Sequence, residues 1–111
     1  VFTIHNDAPI VPPDMLRLLW ATTNRLTRTG KVLGDEQRIS TYDALLAVTR
    51  HAAYQHFEEM QKGSIEVGKT ADLVVLDQDP LAVSSKNLMD LEVQMTISRG
   101  TIVFEDRQLE I

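Results

Sequence analysis

At Gly63 the periodicity of the chain changes, and that change governs what it can fold into. Upstream, apolar residues recur at helical spacing. Downstream they alternate or run together, as in strands. Leu91 to Ser98 carries the clearest period: Leu91, Val93, Met95 and Ile97 point one way, and Glu92, Gln94, Thr96 and Ser98 the other. Arg99-Gly100 then reads as a two-residue hairpin connection, with Thr101 to Glu105 as the partner strand. Leu73-Val74-Val75-Leu76 is a continuous apolar run, expected as a strand buried on both faces. Before it, Gly68 is a turn residue in the tight segment Ile65 to Lys69. After it, Asp77-Gln78-Asp79-Pro80 supplies turn chemistry.

Upstream of Gly63, Val1 to His5 is apolar and β-branched and reads as a short strand. Asn6 to Pro13 is a loop punctuated by Pro9, Pro12 and Pro13. A helix is expected from about Pro13, with Asp14 at its positive end and an apolar stripe of Met15, Leu16, Leu19, Trp20 and Leu26. Gly30 is the expected stop, and a polar connector runs on to Arg38. Ser40 reads as the next N-cap, with Asp43 completing an acidic capping box. That helix is expected to bury Tyr42, Leu45, Leu46, Thr49 and Ala53. It either runs on to about Glu59 or breaks into a second short helix around Tyr54 to Met60.

The chain of 111 residues suffices for one domain with a modest core. It is too short for a complete (β/α)8 barrel, which needs roughly 200 residues or more. A lone strand with two helices and nothing to cover it is an unusual independent design. The start at Val1, inside an apolar run, reads as a boundary cut into a larger protein. Sixteen acidic residues against 11 basic ones give a net charge of -5, which disfavours nucleic acid or an anionic membrane as partner. No apolar run approaches the roughly 20 residues of a membrane span. With no cysteine, neither a disulfide nor a thiolate metal site can form, which fits a cytoplasmic location.

Few residues here could carry chemistry. His5 and Asp7 would share a face if the first strand persisted that far. An imidazole beside a carboxylate can bind a divalent metal or act as acid and base. Equally, the Asp can cap a turn before Ala8-Pro9 while the His fills space. His51 and His56 lie about 140° apart on a helix, so they read as surface or interfacial residues rather than a shared metal site. Asp72, Asp77 and Asp79 flank a strand without the glycine and glutamate of a calcium loop, and read as turn and strand-end residues. Glu58-Glu59 reads as a solvated end. No phosphate-binding glycine loop occurs, and no Ser or Cys nucleophile stands next to a base in sequence.

The stretch Gly63-Ser64-Ile65-Glu66-Val67-Gly68-Lys69-Thr70-Ala71-Asp72-Leu73-Val74-Val75-Leu76-Asp77 resembles the C-terminal signature of the amidohydrolase superfamily. Thr96-Ile97, Gly100 and Val103-Phe104-Glu105 resemble that family's closing hairpin. His5-Asn6-Asp7-Ala8-Pro9 with Pro12-Pro13 resembles the end of the last barrel strand in the branch of large amidohydrolases that includes exoenzyme-regulatory proteins. Thr41 to Ala53, with Tyr54, is similar to the helical passage before the signature.

The resemblance implies an α+β piece of a larger enzyme. Residues 1–62 would be the last strand and helices of a (β/α)8 barrel. Residues 63–111 would be part of a small β-sandwich, built from both ends of the protein and closed by a C-terminal hairpin. It implies metal-dependent hydrolysis of non-peptide, amide-like C–N bonds by the parent. Asp7 inherits the position that binds the metal, zinc, and takes a proton from the attacking water. His5 is not a ligand that the resemblance carries over; its place beside Asp7 suggests a substrate-facing role. The family also needs a His-x-His pair on the first barrel strand and histidines on later ones, and none of those strands is present. A catalytic zinc takes three protein ligands, so this chain alone is expected to be inactive and to hold no tightly bound metal. The expected partners are the missing N-terminal barrel portion, the parent's small-molecule substrate, and a second copy met through exposed apolar surface. The alternatives are a small binding or assembly module, or an inactive regulatory homologue.

Overall fold

Asp14 starts the first helix. In the computed structural model, which describes residues 1–108, its carboxylate accepts the backbone N–H groups of Leu16 and Arg17 at 3.1 and 3.3 Å. Those donors would otherwise have no partner at a helix N-terminus. Helix α1 spans Met15–Asn24 and buries Leu18 and Leu19, with Leu16 and Trp20 packed alongside. Met15, expected in the stripe, is exposed. The helix stops six residues before Gly30. Arg25 takes a left-handed conformation (φ 51°), and its N–H donates to the Ala21 carbonyl at 2.8 Å. Past that cap, Leu26 pairs with Val32 in an isolated bridge, and Gly30 (φ 81°) turns the loop between them. Leu26 and Gly30 therefore belong to a small hairpin-like loop rather than to the helix.

A 3-10 turn at Asp35–Gln37 leads to helix α2, Thr41–Val48. The expected capping box is present in part, because the Asp43 carboxylate takes the Ser40 hydroxyl rather than the Ser40 backbone N–H. The Ser40 hydroxyl oxygen accepts the Asp43 N–H at 3.1 Å and donates to the Asp43 carboxylate at 2.8 Å. The buried face differs from expectation: Ala44 and Ala47 are fully buried, while Tyr42 and Thr49 face outward. Small side chains let the backbone of α2 approach its neighbours, with Leu45 and Val48 packed alongside and half-buried. The helix then breaks at Thr49 (φ -123°, ψ -90°), whose hydroxyl donates back to the Leu45 carbonyl at 2.6 Å. Helix α3, Arg50–Gln55, follows at once. The break falls earlier than the Tyr54 to Met60 segment suggested.

The downstream half forms a three-stranded antiparallel sheet in the order β1-β2-β3: β1 Leu73–Leu76, β2 Val93–Ser98 and β3 Thr101–Glu105. Leu73 faces Ile97 and Val75 faces Met95, with an irregularity after Val75. Arg99 and Gly100 both have positive φ (50° and 80°), the conformation of a tight hairpin turn. Between β1 and β2 runs an unforeseen 3-10 helix, Ser85–Asp90, whose Leu88 is completely buried. The core sits there: Leu19, Ala44, Leu88 and Leu91 pack together, flanked by Leu16, Trp20, Ile39, Val48, Leu76 and Val83. The buried side chain of Asn24 ties α1 to this element, donating to the carbonyls of Trp20 and Ser85 at 2.9 Å each.

Two expectations about strands fail. Val1 to His5 forms no strand. A strand exists by pairing, and this segment meets α3 instead, through Thr3 Oγ1 donating to Gln55 Oε1 at 2.7 Å and Phe2 edge-on to His51. Strand β1 is not buried on both faces: Val74 and Val75, which point to opposite faces of the sheet, are both exposed. Residues 109–111, the end of the expected second segment, lie outside the described residues. The described residues make a small α+β assembly, and no helix among them is long and apolar enough to cross a membrane.

Candidate functional site

Asp7 occupies a left-handed backbone position (φ 53°) in the first loop, and its carbonyl accepts the Ile10 N–H at 2.9 Å. Asn6 anchors this turn. Its side-chain amide donates to the carbonyls of Pro12 at 2.8 Å and Asp14 at 3.2 Å, fastening the loop to the start of α1. The sequence reading passed over Asn6, although an Asn beside a proline-rich loop is a recognised turn former. His5 and Asp7 are both exposed. Without a strand at this point, the two-residue alternation that would put them on one face does not apply.

A catalytic zinc requires three protein ligands and an open position. Among the described residues no group of three His, Cys, Asp or Glu side chains is placed to hold a metal. These residues therefore do not fit a complete metal centre. His51 and His56 do not converge: His51 is half-buried against Phe2, and His56 caps the C-terminus of α3 and is exposed.

The signature residues have structural partners. Asp72 Oδ1 accepts the Arg99 N–H at 2.9 Å, and the Ala71 carbonyl accepts the Gly100 N–H at 2.9 Å, so this end of β1 holds the β2–β3 turn. Asp77 Oδ1 accepts the Glu92 N–H at 2.8 Å, and Asp79 Oδ1 accepts that of Leu81 at 2.8 Å. These are the strand-end and turn roles expected for them. Lys69 Nζ reaches Glu66 Oε2 and Ser64 Oγ, each at 2.7 Å, and the Ser64 hydroxyl donates to the same Glu66 oxygen at 2.7 Å. Hydrogen bonding to Lys69 first, and to Ser64 next, holds the Glu66 carboxyl below the usual glutamate range. Glu58 and Glu59 are not a freely solvated end. Both are half-buried, Glu58 pairs with Lys62 at 3.0 Å, and Glu59 Oε2 is shut off from solvent.

An open concavity of about 510 Å³ lies between α3 and β1, with Ala52, His56, Glu58, Ile65 and Leu73 among its lining residues. Neither His5 nor Asp7 lines it, so the residues singled out for chemistry and this cleft lie apart.

The sequence pattern of the amidohydrolase family matches residues 1–104, which takes in both the Asp7 turn and the three-stranded sheet. This chain belongs to the amidohydrolase family. An N-substituted formamide deformylase from Arthrobacter pascens is 29% identical over 103 residues, covering 93% of this chain and 19% of that protein. A 5-methylthioadenosine/S-adenosylhomocysteine deaminase from Symbiobacterium thermophilum is 35% identical over 82 residues, covering 66% of this chain and 19% of that protein. The crystal structure of an amidohydrolase from Thermotoga maritima MSB8 superposes with a TM-score of 0.65 at 27% identity, over 90% of this chain and 22% of that one. This amidohydrolase chain thus spans about a fifth of the length of the curated relatives it matches.

Proposed function

We propose that this chain is the C-terminal part of a longer hydrolase that cleaves a non-peptide C–N bond in a small molecule. The observation that carries the reading is the family match from residue 1 to 104. Two relatives support the bond type, since a formamide deformylase and a deaminase both break a C–N bond. In this reading, residues 1–62 complete a barrel and residues 63–111 contribute to a β-sandwich shared with the other end of the protein.

The part this chain plays in the chemistry is a carboxylate. Asp7 accepts a proton from water as the water oxygen adds to the carbon, and delivers it to the departing nitrogen as the C–N bond breaks. Its exposed position on an anchored turn supports that role. His5 flanks it on the substrate side. A divalent metal, zinc, belongs to the longer protein, with its histidine ligands on strands outside this chain. The chain alone, without those ligands, is inactive. The acidic balance and the lack of cysteine favour a cytoplasmic enzyme with no nucleic acid or membrane partner.

The test uses the longer gene product, purified with zinc and assayed against N-formyl amines, other amides and aminopurines. Turnover of a C–N substrate by the longer protein and none by the 111-residue chain is the expected result. A longer protein that turns over none of these classes would overturn the reaction class. In that case a purely binding or regulatory role, the alternative raised by the sequence, would take its place.

A further inference from the structure

We draw no further inference here: the strongest candidate, the open cleft of about 510 Å³ between α3 and β1 together with the exposed apolar residues Phe57, Ile65 and Val74 near it, carries nothing because nothing in the structure shows what covers it.

Discussion

Gly63 lies against Ala53 so closely that a Cβ built on it would stand 2.6 Å from the Ala53 Cβ. The same added atom would crowd the backbone of Arg50 and Thr49 at 3.2 Å. Gly63 also has φ +94°, which L side chains rarely adopt. The point where helical texture gives way to strands is thus the point where the chain crosses α3 at closest range. Gly63→Ala is expected to cost roughly 2–4 kcal/mol, from left-handed strain and overpacking together. Urea unfolding of the variant measures it, and an unchanged midpoint would show that the crossing can relax.

Leu88 sets the second prediction. It is fully buried among Leu19, Ala44 and Leu91, where a 3-10 helix meets α1. Leu88→Ala is expected to cost about 2–5 kcal/mol, the lost transfer energy plus a cavity. Ile102, half exposed on β3, is the control: Ile102→Ala should cost well under half as much. Equal losses at the two positions would place the core elsewhere.

Much of the fold was legible because local chemistry decides it. Ser40 with Asp43, and Asp14 with its two N–H donors, are caps whose partners lie within three residues. The β2–β3 hairpin follows from alternation plus Arg99-Gly100. What was not legible depends on distant partners. The helix at Ser85–Asp90 is held by Asn24, 61 residues away from Ser85, and its short 3-10 period leaves little pattern to read. The exposure of Val74 depends on what lies across the sheet, which no local period records. Similarly, the end of α1 was set by Arg25 adopting a left-handed cap, a conformation that Gly would advertise and Arg does not.

The Glu66–Lys69 pair predicts a pH dependence. The folded carboxyl titrates below its ordinary value of 4.5, so the unfolded chain binds that proton more readily. The stabilisation is therefore complete above the ordinary glutamate range and is lost as pH falls through the lower, folded value. Because Glu66 is exposed, the effect should be small and should shrink further in about 1 M salt. Wild type and Glu66→Gln, unfolded across an acid series, should differ near neutrality and converge on acidification. A gap that persists unchanged into strong acid would assign the effect to some other interaction.

Self-association is the fourth expected behaviour. Phe57, Met60 and Ile65 are each more than 80% exposed, within one stretch of the chain. Such apolar surface is costly to leave in water. Light scattering on the 111-residue chain should show mass rising with concentration. The double variant Phe57→Ser, Ile65→Ser should lower that rise without changing circular dichroism. A wild-type monomer at high concentration would remove the prediction.

The candidate site was less legible than the fold. The sequence pointed to Asp7 and His5, but argued their proximity from a strand that does not form. It is Asn6, holding Pro12 and Asp14, that gives the turn its anchor.

Asp7 can be tested with little structural ambiguity. Its φ of 53° makes Asn the right replacement, because Asn tolerates the left-handed region where Ala is strained by about 1–2 kcal/mol. Asp7→Asn also preserves the backbone carbonyl that accepts from Ile10, and the exposed carboxylate has no hydrogen-bond partner among the described residues. Stability should therefore change by less than about 0.5 kcal/mol, as for an ordinary surface substitution. If Asp7 moves the proton, kcat of the longer protein should fall by about 10²–10⁴-fold, the range for loss of a general acid–base group. KM should change much less, since the lost interaction belongs to the transition state. Asp7→Ala should lose activity similarly but also lower the melting temperature, which separates chemistry from turn geometry. If Asp7→Asn keeps its kcat, Asp7 is a turn residue and the proton passes through a group outside this chain.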